Sequence, residues 1–191
     1  MRPVHPPVPA TRLKPMVAAA LTCGLALGLL PAAHAALKPG DKAPDFSTEA
    51  ALGGQVSTFS LAEALRKGPV VVYFYPKAFT SGCTVEAHEF AEATPRFAAV
   101  GTTVIGLSND NIGTLKKFSV EECRNKFAVG ADPDAKIIKA WDAKLMMVPG
   151  MAARISYLVG QDGKVVATHE DMDAAGHVGA MLKAAEGLRK K

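Results

Sequence analysis

The stretch Val70-Val71-Val72-Tyr73-Phe74-Tyr75 constrains this 191-residue chain more than any other. Six β-branched or aromatic residues with no polar alternation cannot leave one face in water. The run therefore reads as a strand buried on both faces, which belongs in a mostly parallel sheet of an α/β fold. Its flanks extend the pattern. Ser60 to Arg66 reads as a short helix, with Ser60 as cap and Glu63 three residues on. Ser81 to Thr94 reads as a longer helix, with Val85, Phe90, Ala93 and Phe97 at roughly helical spacing and Pro95 expected to kink or end it. Thr102 to Ser108 is a second buried strand, Asn109-Asp110 a turn, and Gly113 to Cys123 a helix with Leu115 and Phe118 on one side.

Two further strands, Arg154 to Val159 and Lys164 to His169, are separated by Gly160-Gln161-Asp162-Gly163, short enough and rich enough in turn formers for an antiparallel hairpin. Asp173 to Arg189 closes the chain as an amphipathic helix. A βαβ unit followed by a ββα unit is the order of an α/β, thioredoxin-like fold: a mixed central sheet with helices on both faces. The length suits one domain with a substantial core.

That domain is expected over 36–191, because residues 1–35 have the form of a secretory signal peptide. Arg2, Arg12 and Lys14 make a positive start, Met16 to Leu30 is apolar, and Ala33-His34-Ala35 offers the small residues of a cleavage site. The alternative is a membrane anchor, but the 15 apolar residues fall short of the roughly 20 needed to span a bilayer. The expectation is an exported, periplasmic protein with no stable membrane association after cleavage near Ala36. Removing three leader cations from 22 leaves 19 against 18 acids. No case for a nucleic-acid partner survives that balance. Cys23 goes with the leader, leaving Cys83 and Cys123; two thiols in an oxidising compartment are a disulfide or a reactive pair.

Cys83 falls in the first turn of the helix that follows the buried strand. A thiol there faces unpaired backbone N–H groups and the positive end of the helix dipole, both of which stabilise a thiolate. The competing reading is a small buried hydrophobe, as most free cysteines are.

Pro76, Thr80 and Cys83 stand in the spacing Pro-x-x-x-Thr-x-x-Cys, and with this the sequence resembles the peroxiredoxins. The wider segment Tyr73-Phe74-Tyr75-Pro76, Thr80-Ser81-Gly82-Cys83-Thr84 and Glu86 is similar to the subgroup called peroxiredoxin Q or bacterioferritin comigratory protein. The resemblance runs from Gly40-Asp41-Lys42-Ala43-Pro44-Asp45-Phe46 to the last helix. It implies a thiol-dependent peroxidase in which Cys83 attacks hydrogen peroxide or an organic hydroperoxide and a dithiol such as thioredoxin returns the electrons. It implies no cofactor and no metal, and a monomer.

Lowering a thiol pKa from about 8.5 gains at most roughly thirtyfold in nucleophile at neutral pH. The larger share of the rate must come from groups that align the O–O bond and stabilise the leaving oxyanion. Thr80 can supply a hydroxyl to thiolate or peroxide, and Pro76, by the resemblance, shields the thiolate from water. Of Arg66, Arg96, Arg124 and Arg154, the last opens a strand where the family carries its active-site arginine, and parallel pairing is expected to bring it to the Cys83 loop. Glu86, one turn beyond Cys83, either orients Arg154 or Thr80 or is an ordinary acid near a helix start.

The chain departs from many relatives at His88, the position of their second cysteine. His88 reads as a solvent-facing helix residue. Cys123 remains as the resolving thiol, and its neighbours Glu121, Glu122, Arg124 and Lys126 suggest an accessible helix end. Leu145 to Met151 reads as core packing, or else as a pocket wall or reductant-docking face. His169 and His177 receive no function.

Two other functions fit the fold class. A periplasmic thiol:disulfide oxidoreductase would need Cys-x-x-Cys, whereas Glu86 stands three residues after Cys83. A structural domain stapled by one disulfide would hold its cysteine pair oxidised and inert, whereas a peroxidase can be cycled.

Overall fold

The computed structural model describes residues 36–189 together with Met1. The rest of the expected signal peptide lies outside the described residues, as do Lys190 and Lys191. Among the described residues seven strands form one sheet, in the order β2 (Gln55–Ser60), β1 (Ser47–Leu52), β5 (Ala128–Ala131), β4 (Thr103–Ser108), β3 (Val70–Phe74), β6 (Ile155–Val159) and β7 (Val165–Glu170). The buried run is β3 (Val70–Phe74), fully enclosed at every position. Its side chains alternate: Val71 and Tyr73 enter one apolar cluster, Val70, Val72 and Phe74 the other. Period two with both faces apolar places the strand between two helical layers.

Helices α2 (Ser81–Ala99), α3 (Ile112–Glu121) and α5 (His177–Leu188) cover the first face. The second is covered by α1 (Leu61–Leu65), α4 (Lys136–Ala140) and Trp141. Strand β4 (Thr103–Ser108) runs parallel to β3, and β6 (Ile155–Val159) with β7 (Val165–Glu170) makes the expected antiparallel hairpin. The mixed, thioredoxin-like sheet with helices on both faces is therefore present.

Sequence periodicity missed one hairpin, one central strand and the short helix α4. Strands β1 (Ser47–Leu52) and β2 (Gln55–Ser60) pair antiparallel through Gly53 and Gly54, with φ of 56° and 77°. Two consecutive positive φ angles are what a two-residue turn joining right-twisted strands needs, and glycine adopts them without steric cost. Strand β5 (Ala128–Ala131) is only four residues long and lies between β1 and β4.

Pro95 does not end α2, which continues to Ala99. An interior proline costs about 3 kcal/mol in helix energy. Here continuation buries Phe97 completely and stacks it on Phe90, with ring centroids 6.2 Å apart. Full burial of a phenylalanine is worth roughly 1.5–3 kcal/mol, the same order as that cost.

Candidate active site

The site lies where the chain leaves β3 and enters α2. Tyr75 extends β3 by donating its N–H to Leu107 O at 3.1 Å, and half-buried Pro76 follows. The next residues are pinned by Asp110, beyond the end of β4. Its Oδ2 accepts from Ala78 N–H at 2.8 Å and Ser108 Oγ at 2.9 Å, and its Oδ1 pairs with Lys77 Nζ at 2.6 Å. Phe79 takes a left-handed φ of 65° and sets its ring edge-on to Phe118 of α3, 5.2 Å away. Non-glycine residues rarely adopt that region, so the turn is held by its surroundings.

Thr80 is the N-cap of α2, yet its hydroxyl donates back to Lys77 O at 2.9 Å and caps no helix N–H. Cys83 is the third residue of α2, 2% exposed. Cys83 and Cys123 are both free thiols in this structure.

Arg154 reaches Cys83 from the residue before β6. Because Phe74 is registered opposite Ile155, the start of β6 lies at the end of β3. The pairing is antiparallel, which corrects the expected parallel arrangement. A parallel β6 would have put Arg154 at the opposite end of β3, away from the Cys83 loop.

The guanidinium is buried and every nitrogen has a partner. Nη2 donates to Cys83 Sγ at 3.5 Å, Nη1 to Glu86 Oε2 in a short contact, and Nε to Met172 O at 3.1 Å. Burial pulls its pKa down, but the charges of Glu86 and Cys83 outweigh burial and the net direction is upward. Gly82 lets the helix approach, since a Cβ there would stand 3.0 Å from Nη2. A cavity of about 310 Å³ opens beside the guanidinium, lined by Ser81, Gly82, Val85, Met172, Asp173 and Ala174.

Glu86 is completely buried rather than a solvated acid near the helix start. Burial raises its pKa to about 8, with the charge of Arg154 pulling the other way. His177, assigned no function from sequence, stands behind it. Its Nδ1 is 2.9 Å from Ser156 Oγ and 3.7 Å from Glu86 Oε1, and its Nε2 is 2.9 Å from Asp171 O. His169 meets the His177 ring edge-on at 4.5 Å. No local pattern reveals this cluster; it forms because β6, β7 and α5 converge under α2.

Cys123 departs from expectation. It is fully buried just beyond α3 and belongs to the same apolar cluster as Tyr73, Tyr75, Phe118 and Phe127. Burial first, then the nearby charge of Glu122, raises its thiol pKa well above the usual range. The charged neighbours that suggested exposure point away, because Arg124 and Asn125 turn the chain with φ of 52° and 59°. Two of them instead bind α2: Glu122 Oε2 lies 2.6 Å from His88 Nε2, and Arg124 Nη1 donates to Glu92 Oε1 at 3.0 Å. His88 is accordingly a partly buried tie between helices and not a free surface side chain. The methionine loop also differs, since Met146 and Met147 are more than 80% exposed and contribute nothing to the core.

The contacts join Cys83, Arg154 and Glu86 and add His177 and Ser156, while Pro76 and Thr80 lie on the loop before Cys83 that Asp110 pins and have their side chains turned to no other member of the group. Ser108-Asn109-Asp110 at the end of a buried strand is the one sequence signal for the loop anchor. Cys123 is kept apart in a closed turn.

Residues 39–168 match the AhpC/TSA family. The chain is 38% identical over 153 residues to a putative peroxiredoxin of Mycobacterium tuberculosis, covering 77% of this chain and 94% of that one. It is 33% identical over 151 residues to peroxiredoxin Bcp of Escherichia coli, covering 76% and 94%. The crystal structure of peroxidoxin BcpB from M. tuberculosis superposes with a TM-score of 0.72 at 26% identity, over 80% of this chain and 98% of that one. A buried thiol at a helix start, met by a buried arginine, thus occurs in a chain whose sequence and fold both point one way: it belongs to the AhpC/TSA family, as a peroxiredoxin, a thiol-dependent peroxidase.

Proposed function

We propose that Cys83 is the peroxidatic thiol, reducing hydrogen peroxide and small alkyl hydroperoxides, and that Cys123 resolves the sulfenic acid so formed. The observation that carries this is Arg154 Nη2 at 3.5 Å from Cys83 Sγ, within the first turn of α2. A cation and a helix N-terminus together favour thiolate over thiol and hold donors where negative charge develops on the departing oxygen. Sulfur attacks the terminal peroxide oxygen, the O–O bond breaks, and the alkoxide takes a proton. Glu86 orients Arg154 through the Nη1 contact. Thr80 turns its hydroxyl from Lys77 O to thiolate or peroxide when substrate enters, and Pro76 limits water at the sulfur.

Resolution requires the Cys123 turn to open and the first turn of α2 to unwind, because a disulfide needs Cα atoms within about 7 Å and both cysteines now sit in closed structure. The product is a Cys83 to Cys123 disulfide, which a dithiol protein such as thioredoxin reduces. An enzyme of the thiol:disulfide oxidoreductase class is disfavoured by Glu86 at the position its second cysteine would need. We extend the reading to a protein exported to the periplasm after cleavage near Ala36, working as a monomer.

Cys83→Ser should abolish peroxide consumption. In Cys123→Ser the first oxidation should persist while thioredoxin-supported turnover falls and over-oxidised Cys83 accumulates. Peptide mapping of wild-type protein after one equivalent of peroxide should find Cys83 linked to Cys123. Wild-type turnover by Cys123→Ser, or links only between two Cys83 thiols, would mark a one-cysteine enzyme. N-terminal sequencing of exported protein that found Met1 intact would refute cleavage.

A further inference from the structure

Three carboxyl side chains are buried among the described residues: Asp110, Asp132 and Glu86. Both aspartates have partners at each oxygen. Asp110 binds Lys77, Ala78 N–H and Ser108, while Asp132 accepts from Lys136 N–H at 2.9 Å and Ile138 N–H at 2.8 Å. Glu86 is different. Its Oε2 takes Arg154 Nη1, but its Oε1 is buried without a hydrogen-bond partner.

His177 cannot supply the missing donor. Its Nε2 lies against the carbonyl of Asp171, which can only accept, so Nε2 carries the ring proton and Nδ1 accepts from Ser156 Oγ. Burial above all holds the His177 pKa down at about 4, so the ring is neutral near neutral pH. A fully buried carboxylate with one bare oxygen is strongly disfavoured, whereas a carboxylic acid at that position carries no charge to desolvate.

Arg154 also stands between two acids, with Cys83 on Nη2 and Glu86 on Nη1. One guanidinium neutralises one anion. The groups facing Glu86 are Cys83 and Glu89 on its own helix, Arg154 before β6, His177 on α5 with His169 of β7 behind it, and Tyr73 of β3. Arg154 is the only arginine or lysine among these.

We propose that Glu86 is a proton store tied to the redox state of Cys83: a carboxylic acid while Cys83 is a thiolate, and a carboxylate once Cys83 is a sulfenic acid or disulfide. This rests on the reading of Cys83 as the peroxide-reacting thiol. The step balances. Thiolate, Glu86 carboxylic acid and ROOH give sulfenic acid, Glu86 carboxylate and ROH. The S–O bond forms as the O–O bond breaks, sulfur gives up two electrons to the peroxide, and Glu86 releases the one proton that the alkoxide gains. Negative charge passes from one side of Arg154 to the other, so the buried guanidinium keeps an anion throughout. Reduction of the disulfide restores the thiolate and returns the proton to Glu86.

Infrared difference spectroscopy of Cys123→Ser before and after one equivalent of peroxide, near neutral pH, tests this. The reduced protein should show a protonated-carboxyl C=O band of one group per chain, lost on oxidation and missing in both states when Glu86→Gln is added. If that variant does not fold, isotope-labelled glutamate assigns the band instead, because Glu86 is the only buried glutamate among the described residues. Mass spectrometry of the same samples separates two failures. Absence of added oxygen on Cys83 overturns the reading of that thiol. Oxygen on Cys83 with no glutamic acid band, or with a band that oxidation leaves unchanged, overturns the proton store.

Discussion

Cys83 and Cys123 are hidden from water to the same degree, at 2% and 0% exposure, and belong to one apolar cluster, yet their surroundings are opposite in sign. Cys83 sits at the start of a 19-residue helix with a guanidinium at 3.5 Å. Cys123 follows the last turn of α3, at the negative end of a helix dipole and beside Glu122. Burial disfavours a thiolate at Cys123. What differs is the local field: partial positive charge and a cation at one, partial negative charge and an anion at the other. A concealed cysteine is therefore reactive or inert according to which helix end it occupies and what charge was buried with it. The two also differ in closure. Cys83 is covered by packing from below, while the Cys123 turn is tied to α2 by His88–Glu122 and Glu92–Arg124.

The largest effect should come from removing the cation from one side of this comparison. Arg154→Gln should slow the reaction with hydrogen peroxide by about 10²- to 10³-fold, the usual consequence of losing a charge-stabilising donor at a reacting centre. Stopped-flow kinetics under single turnover would measure it, and a loss below tenfold would mean that the helix start suffices without Arg154.

The ionisable groups buried beside Cys83 should make that half of the molecule the pH-sensitive one. His177 has its pKa lowered from 6.5 to about 4, so the unfolded chain binds more protons in that interval. Its contribution to stability is present above pH 6.5 and lost as pH falls through about 4, on the order of 3 kcal/mol by linkage. Glu86 acts in the other direction. With its pKa raised from 4.5 to about 8, the folded state binds more protons, and stability falls as pH rises through that window. Chemical denaturation at several pH values should show both limbs, the acid limb flattening in His177→Gln and the alkaline limb in Glu86→Gln.

A smaller change should sharpen the other side. Polar side-chain ties at a partly exposed surface contribute up to about 1 kcal/mol each and often less. Replacing His88 and Glu92 together by alanine should favour opening of the Cys123 turn by about 1 kcal/mol, roughly fivefold. Alkylation of Cys123 in native protein should quicken by that factor while Cys83 alkylation holds constant. Equal acceleration of both would show global loosening, and the distinction between the two closures would fall.

Several features are legible in the amino-acid sequence. The Val70 to Tyr75 run announces a strand enclosed on both faces, and Pro76, Thr80 and Cys83 mark the chemistry at its end. Ser60 with Glu63 announces α1, where the serine hydroxyl does accept from Glu63 N–H at 3.3 Å. Gly53-Gly54 is a hairpin signal of the same local kind, though the strands it joins show no clear alternation to draw attention to it. The short β5 has too few residues to show a period at all.

What the chain determined by itself is local: which segments are apolar on both sides, where a helix begins, and which thiol stands at its positive end. These depend on neighbours within a few residues, so spacing reports them. Only the tertiary structure decided that β6 runs antiparallel to β3, that Glu86 and His177 share a dry pocket with Arg154, and that the charges around Cys123 face outward and fasten its turn to α2. Those outcomes depend on contacts between residues 32 to 91 positions apart, fixed by strand register and by two left-handed residues in a turn. A sequence window carries no record of such distant pairings, because the free energy that selects them is released only when the whole sheet closes.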